Sequence, residues 1–224
     1  MVSVSPSGAV VPENLLRFSV RFDAPPKGPV LSRLAFVGHD GQALPEPFLE
    51  QELWSPDGRT LTVLLHPGRV KTGLVAREAR GAILVAGEEV RLTFDGRPIQ
   101  RWSVGPRDEL GPQPSRWTLS AVRAGDREPL VVHLDSPVDA LDVAYLAVVD
   151  ARHRRVSGRA VLADGETAWR FTPAEPWRAG SYQLMVRGTL EDPSGNRVNS
   201  RFETGVNNRP GPPTDCEVSF VVTP

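Results

Sequence analysis

The chain has 224 residues, of which 26 are Lys or Arg and 27 are Asp or Glu. This balance gives no electrostatic reason to expect nucleic acid or an anionic membrane as a partner. Its longest apolar runs, such as Leu61 to Leu65, are far too short to span a bilayer. The single cysteine, Cys216, excludes an intrachain disulfide, which suits the cytoplasm and equally those bacterial secreted proteins that avoid cysteine.

Twenty-two prolines and twenty glycines point to many turns and few helices. The first strand signal is Leu16-Phe18-Val20-Phe22, alternating with Arg17, Ser19 and Arg21 as a half-buried strand does. Leu34 to Val37 follows, closed by the turn His39-Asp40-Gly41. Ser55-Pro56-Asp57-Gly58 is a second turn, and Thr60 to His66 a strand that Pro67-Gly68 stops. Glu88 to Phe94 and Gln100 to Val104 complete a unit across Asp95-Gly96-Arg97-Pro98.

The same order then recurs. Val20-Arg21-Phe22-Asp23-Ala24-Pro25 and Leu34 to Val37 reappear as Val132-His133-Leu134-Asp135-Ser136-Pro137 and Leu146 to Val149, at a constant offset of 112 residues. Such a repeat marks two copies of one β unit. The second copy continues through the turn at Asp164-Gly165, Ala168 to Thr172, Tyr182-Leu184-Val186 and Arg201 to Thr204, in which Phe202 corresponds to Trp102. The sequence therefore predicts an all-β protein of two sandwich domains in tandem, 1–105 and 112–206. A semi-rigid Pro-containing linker joins them, and 207–224 holds a further linker and a tail strand, Glu217 to Thr223, expected to pair with an open sheet edge. The copies differ most at 74–86, an insertion confined to the first. Its Ala/Leu/Glu/Arg content suits one helical turn, unless Ile83, Leu84 and Val85 lengthen a strand.

The second copy carries four short motifs, Leu134 to Asp139, Phe171-Thr172-Pro173, Ala179 to Tyr182 and Leu190 to Asn196. They resemble those of bacterial immunoglobulin-like domains, which occur in tandem in S-layer proteins, adhesins and other cell-surface proteins. Leu134-Asp135-Ser136-Pro137-Val138-Asp139 is similar to that family's strand end, and Phe171-Thr172-Pro173 to its "L-x-P" step. Ala179-Gly180-Ser181-Tyr182 is similar to "x-G-x-Y", and Leu190 to Asn196 to its Asp…Gly-Asn turn. The first copy keeps Ser5-Pro6-Ser7-Gly8-Ala9 but lacks the Asp…Gly-Asn turn and the Tyr. The resemblance implies an immunoglobulin-like sandwich outside the cytoplasm, periplasmic or secreted. Such folds serve as spacers, adhesins and ligand-binding modules alike. No basic-then-apolar leader stands at Met1, so either a secretion signal was removed or none existed.

Candidate chemistry is sparse. His39, His66, His133 and His153 have no ligand spacing and read as solvated, so no metal or cofactor is expected. The turn Glu191 to Asn196 has oxygens for calcium but not the alternating series of a dedicated loop; Asp192 is expected to bond its own backbone instead, with Gly195 or Asn196 left-handed. Cys216 lies in a Pro-rich tail, and no nucleophile elbow is present. Glu50 and Glu52 share a face but read as solvated. These readings make the protein a non-catalytic spacer or binding module.

Two binding patterns remain. Arg69, Lys71, Arg77 and Arg80 concentrate positive charge at the insertion, which would suit an acidic protein surface or an anionic envelope polymer. Trp54, Trp117 and Trp177 lie beside turns and would form the stacking platform of a carbohydrate-binding or enzyme-accessory module. Trp102 and Trp169 alternate with core positions and are expected inside.

Overall fold

A computed structural model describes residues 2–70, 81–200 and 212–224. It divides into two compact units, Met1–Glu109 with Pro193–Gly195, and Leu110–Asp192 with Asn196–Pro224. We call them unit 1 and unit 2.

Unit 1 contains β1 (Val2–Ser5), β2 (Val10–Pro12), β3 (Arg17–Phe22), β4 (Leu34–Gly38), β5 (Leu53–Trp54), β6 (Thr60–Leu64), β7 (Glu89–Phe94) and β8 (Arg97–Gly105). Two four-stranded sheets result, ordered β1-β3-β6-β5 and β2-β8-β7-β4. All pairs are antiparallel except β2 with β8. The alternation seen in the sequence becomes burial: Phe18, Val20 and Phe22 of β3 face Phe36, Leu92 and Trp102 of the other sheet in one core. The Trp102 indole N–H donates to the Pro6 carbonyl at 3.0 Å, so its polar end is satisfied inside. The turn between β7 and β8 takes positive φ at both Asp95 (50°) and Gly96 (73°), the backbone that a two-residue hairpin requires.

Unit 2 contains β9 (Thr118–Leu119), β10 (Leu130–His133), β11 (Leu146–Asp150), β12 (Gly158–Ala163), β13 (Ala168–Pro173), β14 (Gly180–Val186) and β15 (Cys216–Val222). Its sheets are β12-β13-β10-β9 and β11-β14-β15. Four strands over three, in this order, is the arrangement of a seven-stranded immunoglobulin-like sandwich, and unit 1 repeats it with β2 added beside β8. The chain is thus an all-β protein of two immunoglobulin-like sandwiches in tandem.

Four features depart from the sequence expectations. The strands β1, β2, β5 and β9 are too short to show alternation, and β12 was hidden in Gly158-Arg159-Ala160-Val161, where a glycine and an arginine mask it. An α-turn that the sequence did not show, Pro67–Val70, stands before the insertion, and the helical turn expected within 74–86 falls largely outside the described residues. Residues 81–86 form no strand, yet Ile83 and Leu84 are buried in the core of unit 1 and pin the segment's end. The tail strand does more than cover an edge. β15 pairs with β14 from Gly180↔Val222 to Val186↔Cys216, the place that β8 holds beside β7 in unit 1. It is therefore the last strand of the second sandwich, bringing Val218, Phe220 and Val222 to the core. Arg201 to Thr204 and Phe202, expected in that place, lie outside the described residues.

Ending the chain at residue 211 should therefore abolish the cooperative melting of unit 2 in scanning calorimetry, because β14 loses its whole ladder with β15. Phe220→Ala, which removes a partly buried ring packed on Trp177 and Tyr182, should lower its stability by about 2–3 kcal/mol.

Candidate functional site

Of the four basic residues grouped at the insertion, the structure describes Arg69. Arg69 is 4 % exposed. Its guanidinium donates to the carbonyls of Pro45 at 2.6 Å, Glu46 at 3.3 Å, Gly81 at 3.2 Å and Ala82 at 3.3 Å. A buried charge is tolerated when its donors are all directed at acceptors, and a planar fork suits this better than an ammonium. Arg69 ties the segment after β4 to the segment before β7, and it is not available to a partner. Lys71, Arg77 and Arg80 lie outside the described residues.

Two of the three platform tryptophans are likewise internal. Trp117 and Trp177 are 6 % and 3 % exposed. Trp117 donates its indole N–H to Asp135 Oδ1 at 2.7 Å, and Trp177 to the Glu128 carbonyl at 2.8 Å. Both belong to the core of unit 2, because a large ring beside a turn closes the end of a sandwich when its N–H finds an acceptor. Trp54 is half-buried against Phe22 and donates to Glu52 Oε2 at 2.9 Å. The same Glu52 accepts from the backbone of Val30 at 2.6 Å and Leu31 at 2.7 Å. Burial opposes its charge, but the Leu31 amide, the Trp54 indole and the Val30 amide outweigh that and hold the carboxyl below its ordinary range. Glu52 was expected to be solvated; it organises a loop, while Glu50 is exposed.

In the acidic turn, Asp192 is fully buried and both its oxygens accept from Asn196, Oδ1 from the backbone at 2.9 Å and Oδ2 from the side chain at 2.8 Å. Gly195 takes φ 83°. Asp192 thus binds its own turn, as its spacing suggests. His39, His133 and His153 are exposed and His66 is half-buried. No group of three or more His, Cys, Asp or Glu among the described residues could hold a metal ion. The Cys216 thiol starts β15, and burial, with Asp215 beside it, pushes its pKa up, away from the thiolate that nucleophilic chemistry needs.

A shallow depression of about 450 Å³ lies in unit 2 beside β11 and β12, lined among others by Val143, Ala147, Arg155, Val156, Ser157 and Ala160; Val148 and Trp169, also against it, are fully buried. Trp169 and Phe171 stack with centroids 5.6 Å apart and planes 6° from parallel. The loop at its mouth is shaped by Asp150, whose Oδ1 accepts from the backbone of Arg152 and Arg154 and whose Oδ2 takes the Arg154 guanidinium at 2.7 and 2.9 Å. The Arg154 side chain and amide lower the Asp150 pKa to about 2. After the hairpin that begins with β4, unit 1 has eight residues, 45–52, before β5, whereas after the one that begins with β11 unit 2 has Ser157 alone before β12.

No protein-family description matches the chain, and no curated protein matches it in sequence. Among solved structures, it is similar to PcoC, a methionine-rich copper resistance protein from Escherichia coli, at 16 % identity over 50 % of this chain and 98 % of that one, with a TM-score of 0.32. It is also similar to domains 5-6 of the S-layer protein SbsC, at 10 % identity over 100 % and 96 % of the two chains and a TM-score of 0.27. The titin domains Z1Z2, solved in complex with telethonin, give 12 % identity over 99 % and 95 % and a TM-score of 0.26. No helix among the described residues is long and apolar enough to cross a membrane.

Two outcomes follow from these geometries. Arg69→Ala should destabilise unit 1 by about 2–3 kcal/mol in denaturant unfolding, because several charge-assisted hydrogen bonds are lost and their acceptors left unpaired; Arg69→Lys should recover only part. For Asp150, a folded pKa depressed to about 2 means that its contribution is complete above the unfolded value and is lost as pH falls through about 2. The amide resonances of Arg152 and Arg154 should stay fixed from pH 7 to 4 and move with a midpoint near the lower value; a midpoint near 4 would contradict the pairing.

Proposed function

We propose that this protein is a non-catalytic module of a bacterial cell-envelope or secreted protein, working outside the cytoplasm as a spacer or binding module. One observation supports this most: the groups best suited to chemistry are taken up in holding each sandwich together. Glu52 caps backbone amides, Arg69 binds four carbonyls, Asp192 closes a turn, and Trp117 and Trp177 fill a core. A frame that uses its charged groups this way is suited to carrying load or presenting loops. The extracytoplasmic placement is supported by the motif resemblance of the second copy, with which the single cysteine is compatible.

The partner that fits best is an acidic protein surface or an anionic envelope polymer, met by Lys71, Arg77 and Arg80. With Arg69 taken up internally, these three carry the positive charge of the insertion in a chain whose formal net charge is -1. Binding to cell-envelope fractions should weaken as salt is raised and should fall roughly tenfold in the double variant Arg77→Glu, Arg80→Glu, with the melting temperature unchanged. Binding that ignores both salt and the double variant would remove this reading.

A further inference from the structure

The two copies, compared place by place, separate what the fold needs from what it does not. Some differences are matters of packing: Phe48 bridges Leu65 in unit 1 where Gly158 pairs with Pro173 in unit 2. Others stand on the solvent side of a sheet. In unit 1, Arg91 of β7 lies directly opposite Arg101 of β8, with Val37 of β4 on its other side. Their chain neighbours Val90, Leu92 and Trp102 are buried in the core, so strand alternation turns both arginines outward. In unit 2, Val149 stands at the repeat offset from Val37; it pairs with Gln183, and Gln183 with Ser219. The same sheet is therefore built with an uncharged pair at this place.

Like charges directly opposite each other on one sheet face, with Cβ atoms about 5 Å apart, cost stability. Elsewhere in unit 1 an arginine is offset by a carboxylate, Arg33 by Asp95 and Arg107 by Glu13. At Arg91 and Arg101, neither guanidinium meets a carboxylate within ion-pair distance among the described residues. Arg91 makes one long hydrogen bond, from Nη2 to the Gly38 carbonyl at 3.5 Å, and the Arg101 side chain makes none among the described residues. Glu89, one row along the same face and opposite Ser103, pairs with neither. The face thus holds two adjacent positive charges, most of whose N–H donors have no acceptor in the protein.

We propose that Arg91 and Arg101 form a binding site for a phosphate group carrying two negative charges, as the free ion or a monoester, held between the two guanidinium forks on the outer face of β7 and β8. A single fork is matched by a single carboxylate in bidentate fashion. Two forks side by side are matched by one acceptor with more oxygens and a second charge, and that acceptor removes the repulsion the pair otherwise bears. The site uses neither Lys71, Arg77 and Arg80 nor any assumption about where the protein resides.

The test is a titration of the full chain with inorganic phosphate at about pH 7.5 and constant ionic strength, followed by two-dimensional amide NMR. The amides of Arg91, Leu92, Arg101 and Trp102 should shift together and saturate, with a dissociation constant of roughly a millimolar. Acetate at the same ionic strength should bind roughly tenfold more weakly. Glycerol 3-phosphate separates the two sources: binding equal to or tighter than phosphate marks a monoester, and much weaker binding marks the free ion. Arg91→Gln with Arg101→Ser, the residues that unit 2 carries at this place, should abolish the phosphate response with the melting temperature kept or raised, because the repulsion is gone. Phosphate should raise the melting temperature of the wild-type chain and not that of this variant. Should the double variant fold poorly, Arg101→Gln alone carries the same expectation. Arg77→Glu with Arg80→Glu should leave the phosphate titration unchanged, which keeps this site apart from the contact proposed for the insertion. No saturable shift at Arg91 and Arg101, a response that survives the double variant, or equal affinity for acetate overturns the proposal.

Discussion

Two sheets packed face to face stand about 10 Å apart, and the gap must be filled wherever their edge strands diverge. That constraint governs both halves of this protein. In the middle of each sandwich, paired strands supply inward side chains from both sides, and Trp102 or Trp169 fills the centre. At the open side, between the third and fourth principal strands, filling depends on the connection. Unit 1 spends a long connection on it, with Phe48 as the filler and Arg69 as the clamp. Unit 2 has a short one and relies on the larger rings of Trp169 and Phe171 from β13, both buried.

The polar side chains follow from the same requirement. A turn that closes a sandwich end buries backbone amides and carbonyls, and each needs a partner. Glu52 supplies acceptors to Val30 and Leu31, Asp192 to Asn196, Asp150 to Arg152 and Arg154, while Arg69 supplies donors. The aromatic N–H groups obey it too: all five tryptophans direct the indole nitrogen to an acceptor, whether carbonyl or carboxylate. Residue types that could serve as catalysts or sugar platforms are, in these sandwiches, the means by which ends and edges are closed.

Function in such a fold lies in whatever the frame does not consume. The two copies are a natural experiment in this respect, because features present in both belong to the frame. The insertion at 74–86 is one difference, and the exchange of Phe48 for Gly158 is another. The first adds Arg77 and Arg80, and the second lets the Phe171 ring close the place that Phe48 fills in unit 1.

The sequence by itself determined the two-copy architecture, the strands with clear alternation and the turns at Gly58, Asp95-Gly96 and Gly195, because period-2 burial and positive φ are local demands written in local residues. It also placed Trp102 and Trp169 in the cores. The tertiary structure alone decided the fate of residues whose neighbours are distant in the chain. Arg69 is buried because Pro45, Glu46, Gly81 and Ala82 converge on it. Trp117 and Trp177 are internal because Asp135 and Glu128 meet their indoles. The tail became the final strand of unit 2 because β14 accepts Cys216–Val222 in register.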